Sequence, residues 1–400
     1  MTKSTYIIHA KRTAIGSFGG MLSSVRIDDL LANLFKDYAK LANHSLTEID
    51  DVIIGCANQA GEDNRNLARM ALLLAEYPFE VPGTTINRLC GSSLDAVIDA
   101  HARIQAGLGD CFIAGGAESM SRAPYVLSKA NTPFERSQKM WDTSIGWRFE
   151  NPKMAAMFPL LGMGETAEEV QKLHQISREE QDLFALNSHQ KAIAAQNAGK
   201  FVDEIVPISI ESKKGVVIVD RDEGPRADTS LEKLAKLKAA FKKDGTVTAG
   251  NSSSINDGAS FVVVCSEEFV KRHRLNPLAR ITGGAVHGLH PNIMGLGPVG
   301  AIRKLSTRVG LKVSDFDIVE LNEAFAVQAL ACMKELELDP KKVNLNGGSI
   351  AIGHPLGASG TRILTTMLHQ MKNDSNFKNG LASMCIGVGQ GIALSVESCR

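Results

Sequence analysis

Residues 46–55, "LTEIDDVIIG", recur in altered form at 313–322 as "VSDFDIVELN". Each stretch opens with a polar helix cap, places an aliphatic or aromatic residue before Asp, and runs into an apolar strand. The same interval, about 267 residues, carries Cys90 into "IGHPLGASG", a second glycine-rich turn that opens a helix. "DCFIAGGAE" and "ASMCIGVGQ" pair in the same way. Short apolar strands such as "DVIIGC" and "CFIAGG" alternate with helical stretches such as "LLANLFKDYAKLA" and "AIRKLSTRVG". That alternation predicts an α/β fold built from two similar halves, residues 1–120 and 270–400.

Between the halves the texture changes. "TAEEVQKLHQ" and "SREEQDLFALNSHQKAIAAQNAG" each begin with a capping-box pattern, Thr166 with Glu169 and Ser177 with Glu180. Charged stretches such as "KLAKLKAAFKKDG" follow. The segment 121–269 is predicted to be a largely helical insertion covering something on the core.

Composition excludes several classes. The chain has 400 residues, a formal net charge of zero and 44% hydrophobic residues. A balanced charge gives no footprint for nucleic acid or an anionic membrane. No apolar run reaches the length of a membrane span. The start, "MTKSTYIIHAKRTAIG", has no apolar signal-peptide region and reads as a first strand. The seven cysteines form no Cys-x-x-Cys pair, so neither a metal site nor a disulfide framework is expected, and a reducing cytoplasmic setting fits.

The chemistry-bearing residues fall in four stretches. "NRLCGSSLDA" (87–96) sets Cys90 at the mouth of a helix, where unpaired N–H groups favour a thiolate over the ordinary thiol of pKa about 8.5. "NGGSIAIGHPLGASG" (346–360) holds His354 between glycine and proline, a poor place for a core-packing histidine and a good one for a base or oxyanion donor. Its glycines lack the following Lys-Ser/Thr of a phosphate loop. "MCIGVGQGIAL" (384–394) brings Cys385 and Gly387 before a strand rather than a helix, which argues against a dinucleotide site. "ELNEAFA" (320–326) puts Asn322 and Glu323 at a strand end.

Together, and with "GGAESMSRAP", "TAGNSSSINDGA" and "MGLGPVGA" in the same order, these stretches resemble the thiolase family over essentially the whole chain. The resemblance implies a duplicated five-layer α-β-α-β-α core with an inserted loop domain over the coenzyme A site. It implies that Cys90 is the acylated nucleophile, His354 its base, and Cys385 the acid that protonates the acetyl-CoA carbanion. Asn322 would hold an oxyanion water together with His354. The N–H groups of Cys90 and Gly387 would form a second oxyanion hole. Arg226, Ser253 and Phe325 would contact coenzyme A, a co-substrate, with no tightly bound cofactor and no metal. Homodimers or homotetramers, and a hydratase-dehydrogenase partner, are the assemblies implied.

Ser254, Lys233 and Ala239 depart from the usual family pattern near the nucleotide. A ketoacyl synthase would replace Cys385 by His or Asn, a Cys-His hydrolase would need no second cysteine, and a silent binding module would not keep all three groups.

The substrate is read from two places. "LGMGETAEE" has Gly162 where acetoacetyl-CoA thiolases tend to carry histidine, which predicts room for longer chains and broad degradative thiolysis in fatty-acid β-oxidation. The alternative is a bare helix-start turn with the gap filled by Met163. "DTSIGWRF" (142–149) resembles thiolases acting on 3-oxoadipyl-CoA, with Arg148 either pairing a distal carboxylate or held in a structural salt bridge. A biosynthetic acetyl-CoA acetyltransferase is the third reading.

Overall fold

The computed structural model describes residues 3–213 and 215–400. Its central sheet follows one path. The N-terminal half contributes strands in the order Gly83–Ile86, Asp51–Gly55, Cys111–Ser119, Asn256–Ser266, Thr5–Arg12. The C-terminal half continues with Ala279–Gly288, Gln390–Ser398, Asn379–Ile386, Ile318–Leu321. Within the sheet the halves join, among the described residues, through the pairs Tyr6–Arg280 and Ile7–Ala279. In each half the strand earliest in that half's sequence, Thr5–Arg12 or Ala279–Gly288, lies at the junction, and the parallel strands lie at the outer edge. A parallel bridge between Val319 and Val343 stands where Gly83–Ile86 stands in the other half.

Helices cover both faces of each half. Ile27–Leu41 and Leu67–Leu74 pack outside the N-terminal strands around Phe35, Leu31 and Phe261. Gly297–Val309 and Ala326–Leu336 do the same for the C-terminal strands. Ser92–Gln105 and Ser359–Asn373 lie in the middle, in one apolar cluster with residues of both halves. This is the five-layer α-β-α-β-α order. It explains why Cys111–Ser119 and Asn256–Ser266 are buried at every position: helices cover them on both sides, so their middles are apolar or small, and the polar Glu118, Asn256 and Asp257 fall at one end.

The two middle helices meet at their N-termini. Gly360 leaves no space for a side chain, because a Cβ there would lie 2.6 Å from the Leu94 nitrogen. The Thr361 N–H donates to Ser93 Oγ at 3.0 Å. Small residues at this crossing let the turns before both helices, one bearing Cys90 and the other His354, face each other.

Three expectations need correction. Residues 256–266 were expected in the insertion; they form a central core strand, paired with Thr5–Arg12 and Cys111–Ser119. Their run "SFVVVC" is the buried-strand pattern, which the preceding charged stretch obscures. The helix expected to begin at Thr166 starts instead at Met163 with Gly162 as cap, after a short helix Pro152–Met157, and Glu165 Oε2 accepts from the Gly162 N–H at 2.6 Å. Thr166 lies inside that helix, its hydroxyl donating to Met163 O. The Ser177–Glu180 box forms as expected. The insertion also holds two β-hairpins, Tyr125–Leu127 with Met140–Asp142 and Ile208–Ser212 with Gly215–Val219, not only helices. Among the described residues, no helix is long and apolar enough to cross a membrane.

Candidate active site

Cys90 sits in a tight turn just ahead of the helix Ser92–Gln105. Leu89 takes a left-handed φ of 47°, and the turn is closed by the Ser92 hydroxyl, which donates to Leu89 O at 2.6 Å and accepts from the Arg88 N–H at 2.8 Å. A strained non-glycine turn of this kind aims the next side chain outward. Cys90 is half-buried and opens into a cavity of about 310 Å³. Gly387, Met163, Glu118, Asn58 and Arg148 line the same cavity.

The ionisation state differs from the expected thiolate. Burial pushes the Cys90 thiol up to about 11, although the backbone N–H groups of Gly387 and of Cys90 itself face the sulfur and pull the other way. The helix mouth does supply donors, but desolvation is the larger effect, so the resting sulfur is a thiol. Cys385, fully buried, is pushed higher still by burial and then by Cys90. The Cys90 sulfur thus lies within electrostatic reach of Cys385.

His354 is buried, and burial with the nearby Arg362 cation lowers it to about 3. It is therefore a neutral imidazole with a free base position at physiological pH. Its tautomer follows from hydrogen bonds. The Ser359 hydroxyl donates to Pro355 O at 2.8 Å, so Ser359 Oγ accepts from His354 Nδ1–H at 2.6 Å. Nε2 then carries the lone pair, 3.5 Å from Asn322 Nδ2. The Asn322 amide is fixed in turn: Arg362 Nη2 donates to Ser349 Oγ, and Ser349 Oγ donates to Asn322 Oδ1, each at 2.6 Å. The NH₂ of Asn322 thus faces the imidazole. The backbone N–H of His354 donates to Asn256 Oδ1 at 2.8 Å. Gly353, at φ 117°, abuts the same Asn256 side chain, so no other residue fits there.

The expected coenzyme A contacts divide. Arg226 lines a separate cavity of about 520 Å³ beside Lys233, Ser252 and Ser254, and forms no ion pair among the described residues. Lys233 pairs with Asp228 at 2.7 Å. Ser253 does not line that cavity; its N–H donates to Ala324 O at 2.9 Å, next to Phe325. Phe325 is buried, packs edge-on against Phe241, and belongs to the apolar cluster containing Cys385 and Met163.

Gly162 is the helix cap, and Met163 is the neighbour lining the Cys90 cavity. Arg148 is half-buried, lines the cavity, and donates from Nη2 to both oxygens of Asn58 at 3.1 Å. It forms no ion pair among the described residues, so the structural salt bridge is not what holds it. The sequence reading missed Ser359, Ser349 and Glu118. A serine five residues beyond His354, at the helix start, was the one local signal for its orienting partner.

Residues 5–268 match the family described as "Thiolase, N-terminal domain", and residues 275–398 match "Thiolase, C-terminal domain". A beta-ketoadipyl-CoA thiolase of Pseudomonas aeruginosa is 52% identical over 400 residues, covering 99% of this chain and 100% of that protein. A 3-oxoadipyl-CoA/3-oxo-5,6-dehydrosuberyl-CoA thiolase of Escherichia coli is 52% identical, with 99% of each chain covered. The crystal structure of human mitochondrial 3-ketoacyl-CoA thiolase in complex with CoA superposes with a TM-score of 0.92 at 41% identity, over 100% of this chain and 98% of that one.

Proposed function

The chain belongs to the thiolase family, and from that premise we propose that its preferred substrate is a 3-ketoacyl-CoA whose acyl chain ends in a carboxylate, 3-oxoadipyl-CoA. The reaction is thiolytic: coenzyme A cleaves a 3-ketoacyl-CoA into acetyl-CoA and a shortened acyl-CoA. One observation carries the substrate reading. Arg148 reaches the cavity of Cys90 held only by neutral oxygens, with its charge unpaired. A half-buried guanidinium without an acid is ready for a bidentate carboxylate. The relatives bearing the diacid name support the same order of preference, which reverses the fatty-acyl priority expected from Gly162.

The residues support the following course. His354 Nε2 takes the proton of Cys90 as the sulfur attacks the ketone carbon. The C–C bond then breaks, and its electron pair passes to the acetyl-CoA enolate. Cys385 gives that carbon its proton, releasing acetyl-CoA and leaving acyl-Cys90. An incoming coenzyme A gives its thiol proton to Cys385 and attacks the acyl carbon. Cys90 leaves and recovers its proton from His354. The N–H groups of Cys90 and Gly387 hold the tetrahedral oxyanion, and Asn322 with His354 holds the enolate oxygen through a water. Each such donor contributes about 3 kcal/mol. Arg226 serves the nucleotide end of coenzyme A, Ser253 its pantetheine, and Phe325 the apolar wall near Cys385. The working form is a cytoplasmic homo-oligomer.

The test compares kcat/KM for 3-oxoadipyl-CoA and for 3-oxohexanoyl-CoA, which has the same length without the carboxylate. We expect the diacid to lead by about tenfold or more, and Arg148→Ala to erase the lead. Equal values in the unaltered protein defeat the reading.

A further inference from the structure

Glu118 is a buried carboxyl group that the reaction course above does not use, yet it lines the Cys90 cavity. Its Oε2 accepts N–H bonds from Ala57 and from Gly357, both at 2.8 Å. Its Oε1 accepts from the Asn58 N–H at 3.1 Å, with the Cys56 thiol 3.9 Å away. These donors come from two parts of the molecule. Gly357 follows His354 by three residues in the turn that delivers the base. Asn58 is the residue whose two oxygens hold Arg148.

The approach is close on every side. A Cβ on Gly357 would lie 2.8 Å from Glu118 Oε2 and 2.9 Å from the Cys56 Cα. A Cβ on Gly116 would run into Gly357 O. Asp63, beside Glu118 and Cys56, is likewise taken up by the N–H groups of Gly61 at 2.8 Å and Gln59 at 3.1 Å. The lone pairs of this buried cluster therefore point at backbone donors, as in a carboxylate that organises turns rather than one that waits for a cation.

We propose that Glu118 is a positioning residue that locks the His354 turn and the Asn58–Arg148 acyl-end receptor into one unit, so that placing the base and reading the far end of the acyl chain depend on the same carboxylate. The second arm rests on the substrate reading given above; the first does not. An ionised carboxylate can accept all three N–H bonds at once. An amide of the same shape cannot, because its NH₂ must face either the Ala57 and Gly357 donors or the Asn58 donor.

Glu118→Gln tests both arms. We expect kcat on acetoacetyl-CoA to fall at least tenfold while KM for coenzyme A stays within twofold, since the Arg226 cavity lies elsewhere. We further expect the kcat/KM ratio of 3-oxoadipyl-CoA to 3-oxohexanoyl-CoA to drop threefold or more. In an Arg148→Ala background the same substitution should lower kcat without moving that ratio. Should Glu118→Gln fail to fold, Glu118→Asp is measured instead; it keeps the charge but cannot span both sets of donors. An unchanged kcat overturns the His354 arm. A kcat loss with an unmoved ratio, in a protein where Arg148→Ala does move it, overturns the coupling. If Arg148→Ala alone leaves the ratio unmoved, the substrate reading has failed, and the kcat result still decides the His354 arm.

Discussion

Cys90 and Gly357 occupy the same place in the two halves, each two residues ahead of the serine that starts a middle helix. The same interval matches His354 with Asn87, Cys385 with Glu118, and Asn322 with Gly55. In one crossing the thiol of the N-terminal half meets Cys385 and the Gly387 N–H of the C-terminal half. In the other, Gly357 of the C-terminal half donates its N–H to Glu118 of the N-terminal half. A duplicated scaffold thus supplies two equivalent junctions. The side chains, not the backbone, decide that one is reactive and the other is a fastening. In the course proposed above neither half holds the reactive set alone: the nucleophile would come from the first, and the base, second thiol and amide from the second.

The strongest way to break this comparison is at the nucleophile. Cys90→Ala should abolish thiolysis, and Cys90→Ser should lower kcat by about 10⁴ or more, because a serine hydroxyl is far less acidic than a thiol already raised by burial. Mass spectrometry after acyl-CoA incubation should find the adduct on Cys90 alone; an adduct on Cys111 or Cys265 ends the assignment.

Cys385→Ser separates the two thiols. Turnover should drop by about 10³, with α-proton exchange on acetyl-CoA lost, while acylation of Cys90 by acetyl-CoA persists. Full condensation activity in this variant removes Cys385 from the chemistry.

A smaller effect concerns pH. His354 is held near 3 against an ordinary value of 6.5, so the folded protein keeps it neutral where the unfolded chain would protonate it. Between those values the unfolded chain binds the extra proton, and stability falls as pH falls. His9, lowered to about 3, and His189, lowered to about 4, add to the same slope. His354→Asn should flatten the decline in denaturation midpoint between pH 6.5 and 4. It should leave the contributions of His9 and His189 in place. A slope unaltered by the substitution contradicts the neutral imidazole.

The repeat made the two halves legible from "LTEIDDVIIG" and "VSDFDIVELN", because strand and cap patterns are local. The four reactive stretches were legible for the same reason. The strand Asn256–Ser266 was misplaced because its pairing partners are remote in sequence. The state of Cys90 was misjudged because a helix mouth can be read from residues, while desolvation depends on what packs around it. The free charge of Arg148 could not be read either: "GWRF" names the arginine and says nothing of whether an acid meets it. Gly162 caps a helix and stands outside the Cys90 cavity that Met163 lines, a placement its position in the sequence does not reveal.

The central strand Asn256–Ser266 also sets a timetable. Thr5–Arg12 leaves the ribosome long before both of its neighbours in the sheet, Asn256–Ser266 and Ala279–Gly288, are made. Cys111–Ser119 waits for Asn256–Ser266 as well. During synthesis the N-terminal half therefore carries open strand edges lined with apolar residues until the insertion has been translated, the arrangement most prone to pairing with other chains. An insertion placed between strands that pair in the finished sheet lengthens the interval in which the growing chain needs protection.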